Sequence, residues 1–313
     1  MPLFQRKNSK LLPIKEKPFA LEKELQILTE ENLGEIFGLE LISSEFALQS
    51  LRIDTLAFNL ETKSFVIIEY KREQGFTVVD QGFTYLSLLL NNQAEFVLEY
   101  NMHMRTNLQK KDFDWSQTRI IFLSRSFTTY QQGAINFRDL PIELWEVKRY
   151  SNSSILYEQI KAGGGSASVN TFSASKKIQS VSKEVKTFTE EEYMQSKSKG
   201  KGREIYGELK ERLSIIDPNL IPHPTRTYIA FRLPNNWRNI INCAIYRDKL
   251  RVDFTRSKPR DFKDPEKKVK YMQNSPEYFN QHISYIELGH EKELDYALFL
   301  IQQAYKRFLK NNN

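Results

Sequence analysis

The sequence predicts an α/β chain in two parts: a mixed sheet flanked by helices, then a smaller α+β domain. Three observations predict it. Over the first 150 residues, helix-spaced and strand-like segments run in the order helix, three strands, helix, two strands, helix, strand. A Ser- and Lys-rich stretch opening at Gly163-Gly-Gly165 then interrupts the apolar patterning. The patterning resumes near Phe188 as a helix, several short strands and a closing helix.

Taken in order, residues 1–18 are mostly polar and Pro-punctuated, which predicts an extended arm. From Phe19 to Leu33, Leu21, Leu25, Leu28 and Leu33 recur at roughly helical spacing before Gly34 and Gly38 break the pattern. Leu39–Ala47, Leu51–Leu60 and Ser64–Lys71 read as strands, the last two joined through the polar turn Glu61-Thr62-Lys63. Phe76–Leu90 is apolar, free of Pro and long enough to favour a helix. Glu95–Tyr100 reads as a short strand and Arg119–Ser124 as a buried one. Phe127–Phe137 reads as a helix, and Ile142–Val147 as the strand that closes a domain spanning 19–150.

Residues 151–187 contain few large apolar side chains and cannot offset their ordering entropy by burial, which predicts a flexible linker. In the second domain, 188–313, Ile205–Ile216 reads as a helix ending before Asp217-Pro218. Tyr228–Leu233, Ile240–Tyr246, Lys249–Phe254 and His282–Leu288 read as strands, and Leu294–Leu309 as an amphipathic helix.

At 313 residues and 40% hydrophobic content, the chain suits two domains with cores of their own. The net charge of +7 favours polyanions such as nucleic acid, though only mildly, because Asp and Glu number 39. Cys243 stands alone, which excludes an internal disulfide and a multi-thiolate zinc site and marks it as a core residue. No secretory h-region follows the basic N-terminus and no apolar run reaches membrane-spanning length, so a cytoplasmic protein with no membrane partner is expected.

The chemistry concentrates between Asp54 and Lys71. Side chains alternate along a strand, so Glu69 and Lys71 share one face while Ile68 and Tyr70 take the other. The run Phe65–Ile68 makes this strand a buried one, where a carboxylate and an ammonium need partners. Asp54 on the preceding strand supplies a second carboxylate. With the turn centred on Thr62, Asp54 falls opposite Tyr70; a shift of one residue, or a bulge, brings it onto the face of Glu69 and Lys71. Two converging carboxylates form a hard-oxygen site suited to Mg²⁺ or Mn²⁺. Such an ion stabilises charge developing on a scissile phosphate and lowers the pKa of bound water. Lys71 is suited to orient that water or to neutralise the transition state. The competing reading is a buried structural ion pair.

Asp54, fourteen intervening residues and Glu69-Tyr-Lys71 resemble the D…(D/E)xK signature of the PD-(D/E)xK nucleases, within a similar order of helices and strands. The resemblance covers about 130 residues and implies a restriction-endonuclease-like sheet. It further implies Asp54 and Glu69 as metal ligands with Lys71 as catalytic partner. Such nucleases often carry a Glu on the first helix, matched by Glu22 with Glu24 as the competing choice, and a helical Gln and Tyr, matched by Gln81 and Tyr85. Ile53 stands where the family name has Pro, which removes no metal ligand. The implied activity is Mg²⁺- or Mn²⁺-dependent phosphodiester hydrolysis, with DNA as the expected substrate. Since similar nucleases are commonly dimers, a homodimer is an expected form. The rival is a non-catalytic nucleic-acid-binding or protein-interaction module that keeps the fold.

Residues 188–309 are similar to a family of unknown function, found alone or fused to such nuclease domains and sometimes labelled a predicted transport protein. Tyr228-Ile-Ala-Phe231, the Ile240–Phe254 hairpin and the last helix carry that likeness. Without a spanning segment, nothing in the chain supports transport. Lys249 and Arg251 share a strand face with Arg247 just before them, a basic stripe suited to phosphate contacts. Elsewhere the four histidines lack ligand spacing, no G-x-S-x-G occurs, and Gly163–Gly165 lacks the ending of a phosphate loop.

Overall fold

A computed structural model of the chain describes residues 3–71, 77–135, 140–161, 181, 184–185, 188–234 and 236–311. It divides into two compact units, Met1–Asn59 with Lys63–Thr187, and Leu60–Thr62 with Phe188–Asn313.

In the first unit the N-terminal residues are extended, as the sequence predicts, but paired. β1 (Leu3–Lys7) and β2 (Lys10–Ile14) form a hairpin of their own, and β3 (Glu16–Lys17) joins the main sheet. Helices α1 (Glu22–Glu31) and α2 (Leu33–Phe37) follow, α2 ending at Gly38 in the left-handed region (φ 63°). A meander of β4 (Glu40–Leu48), β5 (Leu51–Asn59) and β6 (Ser64–Lys71) comes next. After α3 (Val78–Asn91) and α4 (Gln93–Met104) the chain returns through β7 (Arg119–Ser124), α5 (Thr129–Ala134), β8 (Ile142–Tyr150) and β9 (Ile155–Ile160). The sheet order is β3–β8–β7–β6–β5–β4, with β9 also on β8. β4, β5 and β6 pair antiparallel while β6–β7 and β7–β8 are parallel, which is the predicted mixed sheet with helices about it.

β6 lies inside the sheet. Its Phe65-Val-Ile-Ile68 run is fully buried, as a continuous apolar run on a two-sided central strand requires. Phe65 shares its face with Glu69 and packs in an aromatic cluster with Phe58, Phe96, Tyr100 and Phe113. The opposite face takes α1 and α2, with Phe37 edge-on to Trp145 at 5.2 Å.

Two expectations are corrected. Glu95–Tyr100 belongs to helix α4, because Phe96 and Tyr100 are four apart and both must reach that cluster. Ile155–Ile160, placed in the linker by composition, pairs with β8 through a turn at Ser151–Ser153, where Ser153 adopts φ 69°. The remainder of the expected linker, including Gly163–Gly165, lies almost wholly outside the described residues.

The second unit has an antiparallel sheet in the order β10 (Ile221–Pro224), β11 (Ile229–Arg232), β12 (Ile241–Ile245), β13 (Leu250–Phe254), β15 (Ser284–Leu288), β14 (Lys270–Tyr271). Its helices are α6 (Glu190–Ser196), α7 (Lys201–Ile216), α8 (Ser275–Phe279) and α9 (Leu294–Asn311). Leu209 and Leu213 of α7, with Leu300 and Ile301 of α9, pack on a sheet face that includes Cys243, Val252 and Ile286. Gly202 starts α7 so close to the β12–β13 turn that an added Cβ would meet the Tyr246 carbonyl at 2.0 Å. Among the described residues, no helix is long and apolar enough to cross a membrane.

Candidate active site

The β5–β6 register decides whether the acidic residues meet. Asn59 pairs with Ser64, leaving a four-residue loop with Lys63 in the left-handed region (φ 55°). The pairing axis therefore falls half a residue before Thr62, and Asp54 comes level with Glu69 rather than with Tyr70. This is the one-residue shift that the metal-site reading needs.

Regular pairing stops at Thr55–Ile68. Beyond it the carboxylates take over the ladder. The Asp54 amide donates to Glu69 Oε1 (3.3 Å), and the Tyr70 amide donates to Asp54 Oδ2 (3.1 Å). Lys71 Nζ lies 3.5 Å from Glu69 Oε2. Asp54, Glu69 and Lys71 thus gather on one sheet face at the end of the hairpin.

Glu69 is 1% exposed. Burial raises its carboxyl from an ordinary 4.5 to about 7; the charge of Asp54 adds to the rise, while Lys71, the Asp54 amide and the Tyr85 hydroxyl oppose it. Burial likewise holds Asp54 above its ordinary range, against the Tyr70 amide and Lys71, with Glu45 and Glu22 adding to the rise.

The remaining predicted residues fall around this group. Tyr85 reaches Glu69 from α3, and its one hydroxyl proton is shared between Glu69 and the Arg52 carbonyl (3.2 Å); Gln81, one turn earlier, hydrogen-bonds Tyr85. Burial first, and the neighbouring Glu69 second, push the Tyr85 phenol well above its ordinary range. Glu22 opens α1, exposed but close enough for its charge to act on Asp54. Glu24 is committed elsewhere, to Arg149 and to the Ala20 amide.

Sequence reasoning missed Gln26. It is 4% exposed and its Nε2 donates to the Asp54 carbonyl (2.8 Å) and to Glu30 Oε1 (3.0 Å). Its position four residues after Glu22, hence on the same helix face, was the available signal. Beneath it, Thr55 Oγ1 donates to Glu30 (2.5 Å) and lies 3.1 Å from the Tyr70 hydroxyl, which locks the inner face of the hairpin.

Among the described residues, no group of three or more His, Cys, Asp or Glu side chains is placed to hold a metal ion. Asp54 and Glu69 nonetheless fit Mg²⁺ or Mn²⁺ chemically. Mg²⁺ commonly takes only one or two carboxylates and fills its shell with water and phosphate oxygens. Two acids that burial and neighbouring negative charge hold above their ordinary ranges would also gain from added positive charge.

In the second unit, the Arg247–Lys249–Arg251 stripe lies at the start of β13, and two of its three charges carry acidic partners. Lys249 pairs with Glu287, and Arg251 with Asp253 at 2.8 Å. Arg247 is exposed in the turn before them.

A Haemophilus influenzae protein described as uncharacterized is 37% identical over 307 residues, covering 98% of this chain and all of the relative. The two chains belong to one family. Residues 190–307 match the Domain of unknown function (DUF5655), in agreement with the expected C-terminal domain. No solved structure matches.

Proposed function

We propose that the first unit is a divalent-metal-dependent phosphodiesterase acting on nucleic acid, with DNA as the expected substrate. One observation carries the reading: Asp54, Glu69 and Lys71 meet where β5 and β6 stop pairing, with Glu69 Oε1 3.3 Å from the Asp54 amide and Glu69 Oε2 3.5 Å from Lys71 Nζ.

Asp54 and Glu69 would hold Mg²⁺ or Mn²⁺. Bound there, such an ion supplies charge neutralisation at a phosphate and a more acidic water. Lys71 is 22% exposed, so its ammonium can turn toward a phosphate or a water at the open edge while its neighbour Glu69 stays buried. Tyr85, itself oriented by Gln81, holds the Glu69 carboxylate from the α3 side. Gln26 fixes the Asp54 backbone. Glu22 adds negative charge at the rim, where a second cation or a water would be oriented.

The test is Mg²⁺- or Mn²⁺-dependent cleavage of single-stranded, double-stranded and branched DNA by the full chain, compared with Asp54→Ala and Lys71→Ala. Cleavage that persists in both variants would overturn the reading. One observation favours the non-catalytic alternative: Glu69 already has local partners in the Asp54 amide, Tyr85 and Lys71. Binding without cleavage, unaltered by either substitution, would select it.

A further inference from the structure

At one end of α9 the second unit leaves a cleft of about 60 Å³. Three guanidinium groups line it: Arg238 from the loop before β12, Arg256 from just after β13, and Arg307 from α9. Ile240 and Ala304 supply apolar wall, and Asn311 stands at the end of the helix. Since one water needs roughly 10–15 Å³, the cleft has room for about four to six water-sized groups, the size of one phosphate.

Two of the arginines are held in place. Arg256 adopts φ 51°; its Nη1 donates to the Asn239 carbonyl (3.2 Å), and its Nη2 pairs with Glu61. Arg307 lies over the Phe262 ring at 4.9 Å and donates from Nη1 to the Asp261 carbonyl (3.3 Å). Those contacts orient the Arg307 plane, while its Nε and Nη2 take no acceptor among the described residues. The loop that carries Asp261 is tied to α9 by Gln303, which accepts from the Lys263 amide (2.8 Å) and donates to its carbonyl (3.2 Å). Burial pushes the Arg307 guanidinium below its usual range, as expected where a half-buried cation would gain from an anion.

Planar guanidinium groups match phosphate oxygens bidentately. This cleft gathers three of them around one cavity, with Glu61 beside Arg256 and Asp261 3.6 Å from Arg307, whereas Lys249 and Arg251 of the strand stripe pair with Glu287 and Asp253 along a strand. We propose that the cleft of Arg238, Arg256 and Arg307 binds one phosphate group of a nucleic-acid strand, anchoring that strand on the second unit. The proposal shares with the preceding section the premise that the ligand is nucleic acid, and it does not depend on cleavage.

The test uses the full chain without divalent ions and a 3′-labelled DNA strand, in 5′-hydroxyl and 5′-phosphate forms, with anisotropy read across a salt series. Arg238→Gln with Arg307→Gln is expected to weaken binding roughly tenfold, the loss of a charge-assisted contact. The salt slope should fall by about one. Asn311→Glu, a change at an exposed residue of the cleft lining, should weaken binding in the same direction. Equal affinity for the two strands assigns the phosphate to the backbone; a gain with the 5′-phosphate that the variants abolish assigns it to the strand end, and either supports the cleft. Unchanged affinity and salt slope in both variants overturn it, as does absence of binding by the wild type. Cleavage measured with Mg²⁺ restored separates the two ideas: arginine-dependent binding by a wild type that cuts no DNA leaves the cleft standing and removes the catalytic reading, whereas wild-type cleavage with binding unaffected by the arginine variants does the reverse.

Discussion

The Asp54 backbone amide donates to Glu69 Oε1 at 3.3 Å, so a carboxylate occupies a position that a strand carbonyl would fill in a continuing ladder. The hairpin end and the acidic pair are therefore one structure, and substitutions there should separate chemistry from folding.

Asp54→Asn keeps an acceptor for the Tyr70 amide but removes a charge from the pair. Cleavage should fall by roughly two to three orders of magnitude, as for loss of a principal electrostatic group. Thermal unfolding should change little or improve, because Glu69 is relieved of a like charge. Nicking assays and calorimetry on the same preparation check both.

Glu69 links stability to pH. Its folded pKa, about 7, lies above the ordinary 4.5, so the folded state holds a proton that the unfolded chain has released between those values. The stabilisation is fully present below 4.5 and is lost as pH rises through 7. The full difference corresponds to roughly 3 kcal/mol. Glu69→Gln should flatten this dependence, and Mg²⁺ should raise the melting temperature of the wild type more at pH 8 than at pH 5. Denaturant melts at both pH values, with and without Mg²⁺, test it; an identical slope in the variant would count against the assignment.

Gln26→Leu should act through Asp54. It leaves the Asp54 carbonyl and Glu30 short of a donor in a buried setting, at a cost of about 1–3 kcal/mol. Activity should drop while Mg²⁺ affinity changes less than in Asp54→Asn. Titration calorimetry alongside turnover distinguishes the two.

In the second unit, Arg251→Met should cost roughly 3 kcal/mol, because it strands Asp253, 4% exposed and already raised to about 6 by burial. Arg251→Met with Asp253→Leu should recover much of that loss. Chemical denaturation of the single and double variants measures the coupling.

Much of this was readable in the sequence, and the reason is local. Alternation along a strand places Glu69 and Lys71 together whatever else the chain does, and the Phe65–Ile68 run marks β6 as buried. Helical spacing joins Gln81 to Tyr85 and puts Leu298, Ile301 and Tyr305 on one side of α9. What tertiary structure decided was everything set by partners distant in sequence. The four-residue loop set the register that brings Asp54 level with Glu69. The aromatic cluster made Glu95–Tyr100 helical, and β8 captured Ile155–Ile160. Arg149 claimed Glu24 and left Glu22 on the side of Asp54, while Glu287 and Asp253 claimed Lys249 and Arg251. Periodicity states which way a side chain faces; only packing determines what it meets there.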